Sequence, residues 1–131
     1  MVVLADTSAL IEFFRGTGSP AHLACRSLVT SGEAAITDPI LMEVLAGAAP
    51  RDAPTIRRGM FDLHFLAVAP VFDYESAAKI YRACRSMGET VRSLVDCLIA
   101  AVAIRENVEL LHLDADFDVI ARHTGLRVYG V

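Results

Sequence analysis

Short apolar runs alternate along this chain with longer segments in which apolar residues recur at helical spacing. This alternation favours an α/β fold with a central, mostly parallel β-sheet flanked by helices, because parallel strands need crossover connections that are usually helical. The first run is apolar on both faces, which predicts a central place in the sheet. The predicted strands are Val2–Ala5, Ala34–Thr37, Ala67–Ala69, Glu109–Leu113 and Leu126–Tyr129.

Seven segments between these runs carry helix-end signals or apolar residues at helical spacing. Asp38-Pro39 predicts an N-cap followed by proline at the first helical position. Gly16 and Gly88 each follow a predicted helix end, where glycine is common. The predicted helices are Thr7–Arg15, Pro20–Ser31, Pro39–Gly47, Ala53–Leu66, Asp73–Met87, Val91–Arg105 and Ala115–His123.

The composition predicts one folded domain over residues 1–131, since domains typically run to about 100–150 residues. Hydrophobic residues make up 54% and charged residues 21%, which excludes a disordered chain. No apolar run approaches the ~20 residues of a membrane span, and the N-terminus lacks the basic start of a signal peptide, so no membrane partner is expected. A mean hydropathy of +0.46 predicts either an apolar interface with another chain or an Ala- and Val-rich core.

The cysteines and the net charge limit the compartment and the partners. Cys25, Cys84 and Cys97 are an odd number without CxxC spacing, which argues against a disulfide framework or a zinc site. A reducing, cytoplasmic location is therefore expected. The net charge of −4 does not by itself favour nucleic-acid binding, although bound cations can reverse the local field.

Acidic residues stand directly after two of the predicted strands. Asp6 follows the first strand, and Asp114 follows the fourth, with Asp116 two residues further on. In parallel sheets ligands bind beyond the carboxyl ends of the strands, and these three residues fall at that edge.

Two further acids lie inside apolar helical segments. Glu43 lies within Ile40–Leu45, and Asp96 lies within Leu94–Ile99. An ionised carboxylate in such a setting is costly unless something compensates its charge, and a divalent cation would compensate several together.

Each acid also has an explanation that needs no ligand. Asp6 and Asp114 could cap helices, and Glu43 could face water. Ser93-Leu94-Val95-Asp96 matches a capping box in which Asp96 reaches back to the Ser93 amide. The spacing leaves both interpretations open, because it does not prove that the four separated acids meet.

The same residues resemble the PIN-domain nuclease family, and within it the VapC toxins of bacterial toxin–antitoxin pairs. No single motif is specific, but all four occur in the expected order between Val2 and Val128. The matching segments are Asp6–Leu10, Glu43–Gly47, Asp96–Ala101 and Asp114–Asp118.

The resemblance implies a Rossmann-like PIN fold with a metal-dependent ribonuclease site. Asp6, Glu43 and Asp96 would be the principal metal ligands, Asp114 would complete the quartet, and Asp116 would be an auxiliary fifth acid. The neighbouring hydroxyls of Thr7 and Ser8 would orient a metal-bound water or bond the Asp6 carboxylate, unless they only cap the helix. His112 departs from the family pattern, which often has Thr or Ser there, and would contact substrate or fill space.

Carboxylate ligands favour Mg²⁺, with Mn²⁺ as a substitute, over zinc. One such ion lowers the pKa of a bound water to make a nucleophile, and a second ion about 3.5–4 Å away would stabilise the leaving oxygen. Cleavage of RNA would then leave a 5′-phosphate and a 3′-hydroxyl. Without metal the acids should repel one another and have raised pKa values.

The RNA substrate needs positive charge near the acids. Arg85 and Arg92 flank the predicted turn at Gly88, and Arg15 ends the first helix. Each could hold an RNA phosphate or simply lie on a solvated helix face.

The resemblance also implies a VapB-type antitoxin partner and a homodimer. The antitoxin would lay a helix and an extended tail over apolar residues such as Leu10, Phe13 and Phe14, which could instead pack in the chain's own core. Two other classes of protein compete with this interpretation. A haloacid-dehalogenase-type phosphatase would need a second Asp where Ser8 stands, and a non-catalytic PIN-like or receiver-like domain would hold a divalent ion without turnover.

Overall fold

The sheet is built around a fully buried apolar strand at the start of the chain. The computed structural model describes residues 1–130, and Val131, the last residue of the predicted domain, lies outside the described residues. The strands are β1 (Val3–Ala5), β2 (Ala34–Ile36), β3 (His64–Phe65) and β4 (Glu109–Leu111). Their order is β3-β2-β1-β4 and every pair is parallel. The predicted parallel α/β sheet and the interior position of the first strand are confirmed.

The register of the sheet brings the ends of its strands to one edge. Leu4 pairs with Ala35 of β2 on one side and with Leu110 of β4 on the other. The Asp6 amide then donates to the Leu111 carbonyl at 2.9 Å, so the chain leaves β1 beside the end of β4. Residues that follow these strands therefore meet at the carboxyl edge of the sheet.

Seven helices connect and cover the strands. The first begins where the Asp6 side chain accepts from the Ser8 amide, and it ends at Gly16 in the left-handed conformation (φ 61°) that glycine adopts without strain. The helices are α1 (Thr7–Arg15), α2 (Pro20–Thr30), α3 (Asp38–Gly47), α4 (Ala53–Phe61), α5 (Phe72–Ser86), α6 (Leu94–Glu106) and α7 (Ala115–His123).

The predicted third strand was wrong in position. The helix predicted over Ala53–Leu66 ends at Phe61, and the strand is His64–Phe65 rather than Ala67–Ala69. Side chains, not a neighbouring strand, satisfy the main chain of the predicted segment. The Val68 amide donates to Asp38 Oδ2 at 2.7 Å, and the Ala69 amide donates to Asp73 Oδ2 at 2.7 Å.

Other boundaries move for local reasons. The predicted strand Leu126–Tyr129 forms only an isolated parallel bridge, between Leu110 and Val128. Asp38 is the first residue of α3 rather than its N-cap, because its carboxylate bonds the Val68 amide instead. The last long helix before β4 begins at Leu94, three residues later than predicted, where Ser93 Oγ accepts from the Val95 amide.

The core lies between the sheet and the helices, and α6 runs through it. Every residue of α6 from Asp96 to Ala103 is buried, as expected for a helix that is apolar on all sides. Cys25, Cys84 and Cys97 are all buried in this core as free thiols. Among the described helices, none combines the length and apolar character needed to cross a bilayer.

One buried ion pair ties α5 to α6 away from the sheet edge. Asp73 is fully buried, and its carboxylate accepts from Arg105 Nε at 3.0 Å and from the Ala69 amide. Arg105 Nη2 also donates to the Ala67 carbonyl at 2.8 Å. The pair therefore holds the loop that was predicted to be a strand.

Removing the Asp73 carboxylate should destabilise the protein. Asp73→Ala leaves the Arg105 guanidinium partly buried without its counter-ion, and should lower the free energy of unfolding by about 3 kcal/mol. Urea denaturation measures the change. Glu106→Ala, which removes the exposed partner of the same arginine, is the control and should cost less than about 1 kcal/mol. Equal losses in the two variants would contradict the structural role given to Asp73.

Candidate metal centre

Five acids from four parts of the chain are directed to the carboxyl edge of the sheet. Asp6 leaves β1, Glu43 lies on α3, Asp96 is in the first turn of α6, and Asp114 and Asp116 begin α7. The last three each offer a carboxylate oxygen, and these oxygens all lie within 4.8 Å of one another. The resemblance made Asp114 the fourth acid of the quartet and Asp116 an auxiliary fifth, whereas the tightest group joins both of them to Asp96.

Asp6 is held from two sides by Ser8. The Asp6 carboxylate is buried and accepts from the Ser8 amide at 3.2 Å and from Ser8 Oγ at 2.7 Å. Ser8 Oγ in turn accepts from the Leu113 amide at 3.0 Å, which links the start of α1 to the end of β4. Both expected roles are present together, because Asp6 caps α1 and Ser8 bonds the Asp6 carboxylate.

Glu43 is tied to α1 rather than left in water. Thr7 Oγ1 donates to Glu43 Oε1 at 2.8 Å, although 36 residues separate them, and the Glu43 side chain is half-buried. The hydroxyl thus orients the Glu43 carboxylate toward the rest of the cluster.

Asp96 is the most perturbed of the acids. It is 7% exposed, and burial, followed by the charges of Asp114, Asp6, Asp116 and Glu43, raises the pKa of Asp96 to about 8. The capping-box alternative is wrong here. Ser93 caps α6 alone, and no hydrogen bond within residues 1–130 joins the Asp96 carboxylate to the Ser93 amide.

Two other acids also have raised pKa values. Burial raises the pKa of Asp6 and outweighs the hydrogen bonds from Ser8, and the charge of Asp114 adds to the rise. Burial also raises the pKa of Glu43, with further contributions from the charges of Asp6 and Asp114. The expected upward shifts are therefore present at Asp6, Glu43 and Asp96, which places them within electrostatic reach of one another.

Arg92 makes contacts that the sequence did not predict. Asp114 Oδ1 caps α7 by accepting from the Asp116 amide at 2.9 Å, and it lies 3.4 Å from Arg92 Nη2. Asp116 Oδ1 lies 3.4 Å from Arg92 Nε. Arg92 was predicted to meet RNA phosphate, and in this structure its guanidinium meets these two carboxylates.

The other two predicted arginines lie elsewhere. Arg15 is exposed at the end of α1 and lines a groove between α1, α3 and α4. Arg85 is exposed in the last turn of α5 and makes no ion pair among the described residues.

His112 and Thr37 are buried polar side chains at the same sheet edge. His112 Nδ1 accepts from the Asp114 amide at 3.1 Å, and the ring packs against Phe117, so this residue fills space and also positions Asp114. Thr37 follows β2 and is fully buried, and its hydroxyl has no hydrogen-bond partner among residues 1–130. Sequence reasoning passed over Thr37, although a hydroxyl directly after a strand was the available signal.

The donor set suits a hard divalent cation. The close group offers only carboxylate oxygens, which Mg²⁺ and Mn²⁺ prefer. Two hydroxyls and one imidazole hold the surrounding backbone and carboxylates in place. The arrangement can therefore concentrate positive charge at a site that would otherwise repel phosphate.

Comparison with known proteins gives consistent results. The model of the PIN domain family matches residues 3–123. Ribonuclease VapC11 of Mycobacterium tuberculosis is 49% identical over 129 residues, which cover 96% of each chain. Among solved structures, VapBC2 from Rickettsia felis, bound to a DNA fragment from its promoter, has a TM-score of 0.75 at 17% identity and covers 98% of both chains. The M. tuberculosis toxin VapC20, described as cleaving the sarcin-ricin loop, has a TM-score of 0.69 at 19% identity, over 95% of this chain and 98% of its own.

The raised pKa values predict how stability depends on pH. The folded protein keeps protons on the carboxyls of Asp6, Glu43 and Asp96 at pH values where the unfolded chain, above about pH 4, has released them. The free energy of unfolding should therefore fall as pH rises toward about 8. Urea midpoints of the metal-free protein, measured with a chelator between about pH 5 and pH 8.5, test this. Asp96→Asn should flatten the slope, and Asp62→Asn, at an exposed carboxylate, should not. A wild-type stability that increases across this window would contradict the assignment.

Proposed function

Because the chain belongs to the PIN-domain family, we propose that it is an endoribonuclease and the toxin of a VapBC toxin–antitoxin pair. The 49% identity to Ribonuclease VapC11 over nearly the whole chain supports RNA cleavage. The observation that carries the proposal is the convergence of Asp96, Asp114 and Asp116 within 4.8 Å, beside Asp6 and Glu43.

The proposed cofactor is Mg²⁺, with Mn²⁺ as a substitute. Asp6, Glu43, Asp96 and Asp114 would hold it directly or through water, with Asp116 as an auxiliary fifth acid. When bound, a divalent cation neutralises the charge of the phosphate and of the carboxylates and lowers the pKa of a bound water. The chain's own contribution is to keep the ligands oriented.

Three hydrogen bonds perform that orientation. Ser8 fixes the Asp6 carboxylate, Thr7 fixes Glu43, and the His112 ring holds the Asp114 amide. The Thr7 bond joins α1 to α3, whereas the other two act between residues that are two positions apart. Such outer partners commonly change metal affinity or activity by about 10- to 100-fold when they are removed.

We propose that arginines around the acids bind the RNA. Arg92 lies at the edge of the cluster, and Arg85 lies in the last turn of α5, the helix that precedes the loop carrying Arg92. Arg15 lines the groove between α1, α3 and α4, and would contact an extended substrate. A guanidinium suits this task because it can make two parallel hydrogen bonds to one phosphate.

The proposed docking surface for a VapB-type antitoxin is the groove between α1, α3 and α4. Its cavity volume is about 580 Å³. Of the apolar residues expected to meet the partner, Leu10 is instead fully buried in the core, and Phe13 packs edge-on against Phe14. Phe14 does line the groove, together with Ile11, Val44 and Ile56. An amphipathic helix can lay its apolar face into a groove of this kind, and the VapBC structures of similar fold contain toxin and antitoxin together.

A homodimer is proposed from the exposed apolar side chains. Leu94 is 61% exposed and Leu113 is 56% exposed, both close to the acidic cluster in the chain. Met42, which is next to Glu43, is 59% exposed. Phe72 and Tyr74 at the start of α5 are similarly exposed. A second copy covering such residues would remove apolar surface from water.

A cytoplasmic location is also proposed. All three cysteines are free thiols within the described part of the chain. Thiols that are not paired are typical of a reducing compartment, where an enzyme acting on cellular RNA would meet its substrate.

Cleavage of RNA is the direct test of the nuclease function. The purified, antitoxin-free protein is expected to cut RNA from a mixed cellular preparation with Mg²⁺ or Mn²⁺ and to stop when a chelator is added. Asp96→Asn should reduce the rate by more than about 100-fold, because even outer partners of metal ligands cost 10- to 100-fold. The cut ends should carry 5′-phosphate and 3′-hydroxyl groups.

The alternative outcomes are informative. Cleavage that survives both the chelator and Asp96→Asn would defeat the metal mechanism. A folded protein that binds Mn²⁺ but cuts no RNA would favour the non-catalytic, receiver-like or PIN-like alternative.

A charge in the groove should weaken antitoxin binding. Ile11→Asp places a carboxylate among the apolar side chains of the proposed docking surface and should raise the Kd for a VapB-type antitoxin by about 30-fold. Isothermal titration calorimetry measures the affinity. Val71→Asp, at an exposed apolar residue that does not line the groove, is the matched control. Similar losses in both variants would place the antitoxin elsewhere.

A further inference from the structure

We propose that Arg92 is a resident counter-ion of the acidic cluster that exchanges partners during the reaction cycle. In the metal-free protein its guanidinium pairs with Asp114 and Asp116. When those carboxylates take up a divalent cation, Arg92 leaves them and becomes available to an RNA phosphate. This inference rests on the proposed ribonuclease function and makes substrate binding depend on metal loading.

The contacts of the guanidinium are long and face water. Arg92 Nη2 lies 3.4 Å from Asp114 Oδ1, and Nε lies 3.4 Å from Asp116 Oδ1. Tightly held charged pairs are shorter, at about 2.7–2.9 Å. The Arg92 side chain is 77% exposed, whereas that of Asp116 is 8% exposed. Because the guanidinium end of each contact lies in water and both distances are long, these contacts are weak, and a divalent cation that replaces the positive charge beside the buried Asp116 lets the guanidinium leave.

The main chain of Arg92 is anchored independently of its side chain. The Arg92 amide donates to Asp116 Oδ2 at 3.2 Å. On either side, Val91 is buried in the core and Ser93 caps α6. The Cα of Arg92 therefore stays beside the cluster while the guanidinium moves, and the released group remains within reach of a substrate bound there.

The guanidinium and a divalent cation compete for the same oxygens. Asp114 and Asp116 are two of the three acids whose oxygens lie within 4.8 Å of one another. Arg92 pairs with both and makes no ion pair with Asp96 in the described residues, so it offsets the charge of those two acids and not that of Asp96. Like charges repel, and therefore a site holding both cations is disfavoured.

The arrangement distinguishes Arg92 from the other paired arginines. Arg105 bonds the fully buried Asp73 at 3.0 Å, and Arg122 pairs with Glu89 on the surface. Those pairs join secondary-structure elements to one another. Only at Arg92, among residues 1–130, does an arginine side chain contact the acids of the candidate metal centre.

The first arm of the test measures Mn²⁺ binding in the absence of RNA. Isothermal titration calorimetry of the full chain is expected to show that Arg92→Gln binds Mn²⁺ about fivefold more tightly than wild type, because the competing cation is gone. Arg92→Lys, which keeps the charge, should stay within about twofold of wild type. Arg26→Gln changes the net charge equally at an exposed position on α2 and is the control, with an affinity expected to match wild type.

The second arm measures RNA cleavage at saturating Mn²⁺. Arg92→Gln should raise KM for RNA by about fivefold and leave kcat nearly unchanged, since a phosphate contact made equally in the ground and transition states affects binding alone. Arg92→Lys should give an intermediate KM because an ammonium cannot make the bidentate contact. Thermal unfolding of each variant confirms that it is folded.

Several results would overturn the proposal. Weaker Mn²⁺ binding in Arg92→Gln would mean that Arg92 organises the ligands instead of competing for them. Tighter Mn²⁺ binding with an unchanged KM for RNA would mean that the released Arg92 guanidinium does not bind an RNA phosphate. A wild-type protein that binds Mn²⁺ and cleaves no RNA would defeat the ribonuclease function, and the Mn²⁺ affinities would still decide whether Arg92 is the counter-ion.

Discussion

The crowding of partly buried carboxylates at one edge of a parallel sheet shapes the elements around them. Removal from water and mutual charge raise the pKa of Asp96 to about 8 and raise those of Asp6 and Glu43. Helix caps and hydrogen bonds to the carboxylates offset this repulsion in the folded protein. Asp6 and Asp114 each cap a helix, where the helix dipole favours negative charge, and hydroxyls or amides bond the carboxylates directly.

The parallel sheet and the buried helix α6 hold the acids in position. The sheet is parallel throughout, so its carboxyl ends are brought to one edge by topology alone. The buried helix α6 delivers Asp96 from its first turn, and its following residues, Cys97–Ala103, are packed in the core. A carboxylate on a buried helix cannot turn away into solvent, and that immobility is useful for holding a cation in a fixed geometry.

Prediction from the sequence succeeded where an apolar pattern is long. The buried first strand and the long helices were predicted correctly, whereas the spacing of the acids left open whether they meet at the sheet edge. The third strand was misplaced because two carboxylates, Asp38 and Asp73, satisfy the backbone of residues 67–69 from elsewhere in the chain. Partners of this kind are set by the packing of α3 and α5 against that loop, and no local pattern encodes them.

Local sequence patterns suffice to predict the order of the elements, the apolar character of the core, and the acids that follow β1 and β4. Those features follow from local periodicity and from the preference of apolar side chains for burial. Tertiary packing sets which acids are closest, brings Thr7 to Glu43 and pairs Arg92 with carboxylates. The Thr7–Glu43 and Arg92–Asp114 contacts join residues 36 and 22 positions apart, so they depend on how α1, α3, α6 and α7 pack around the sheet.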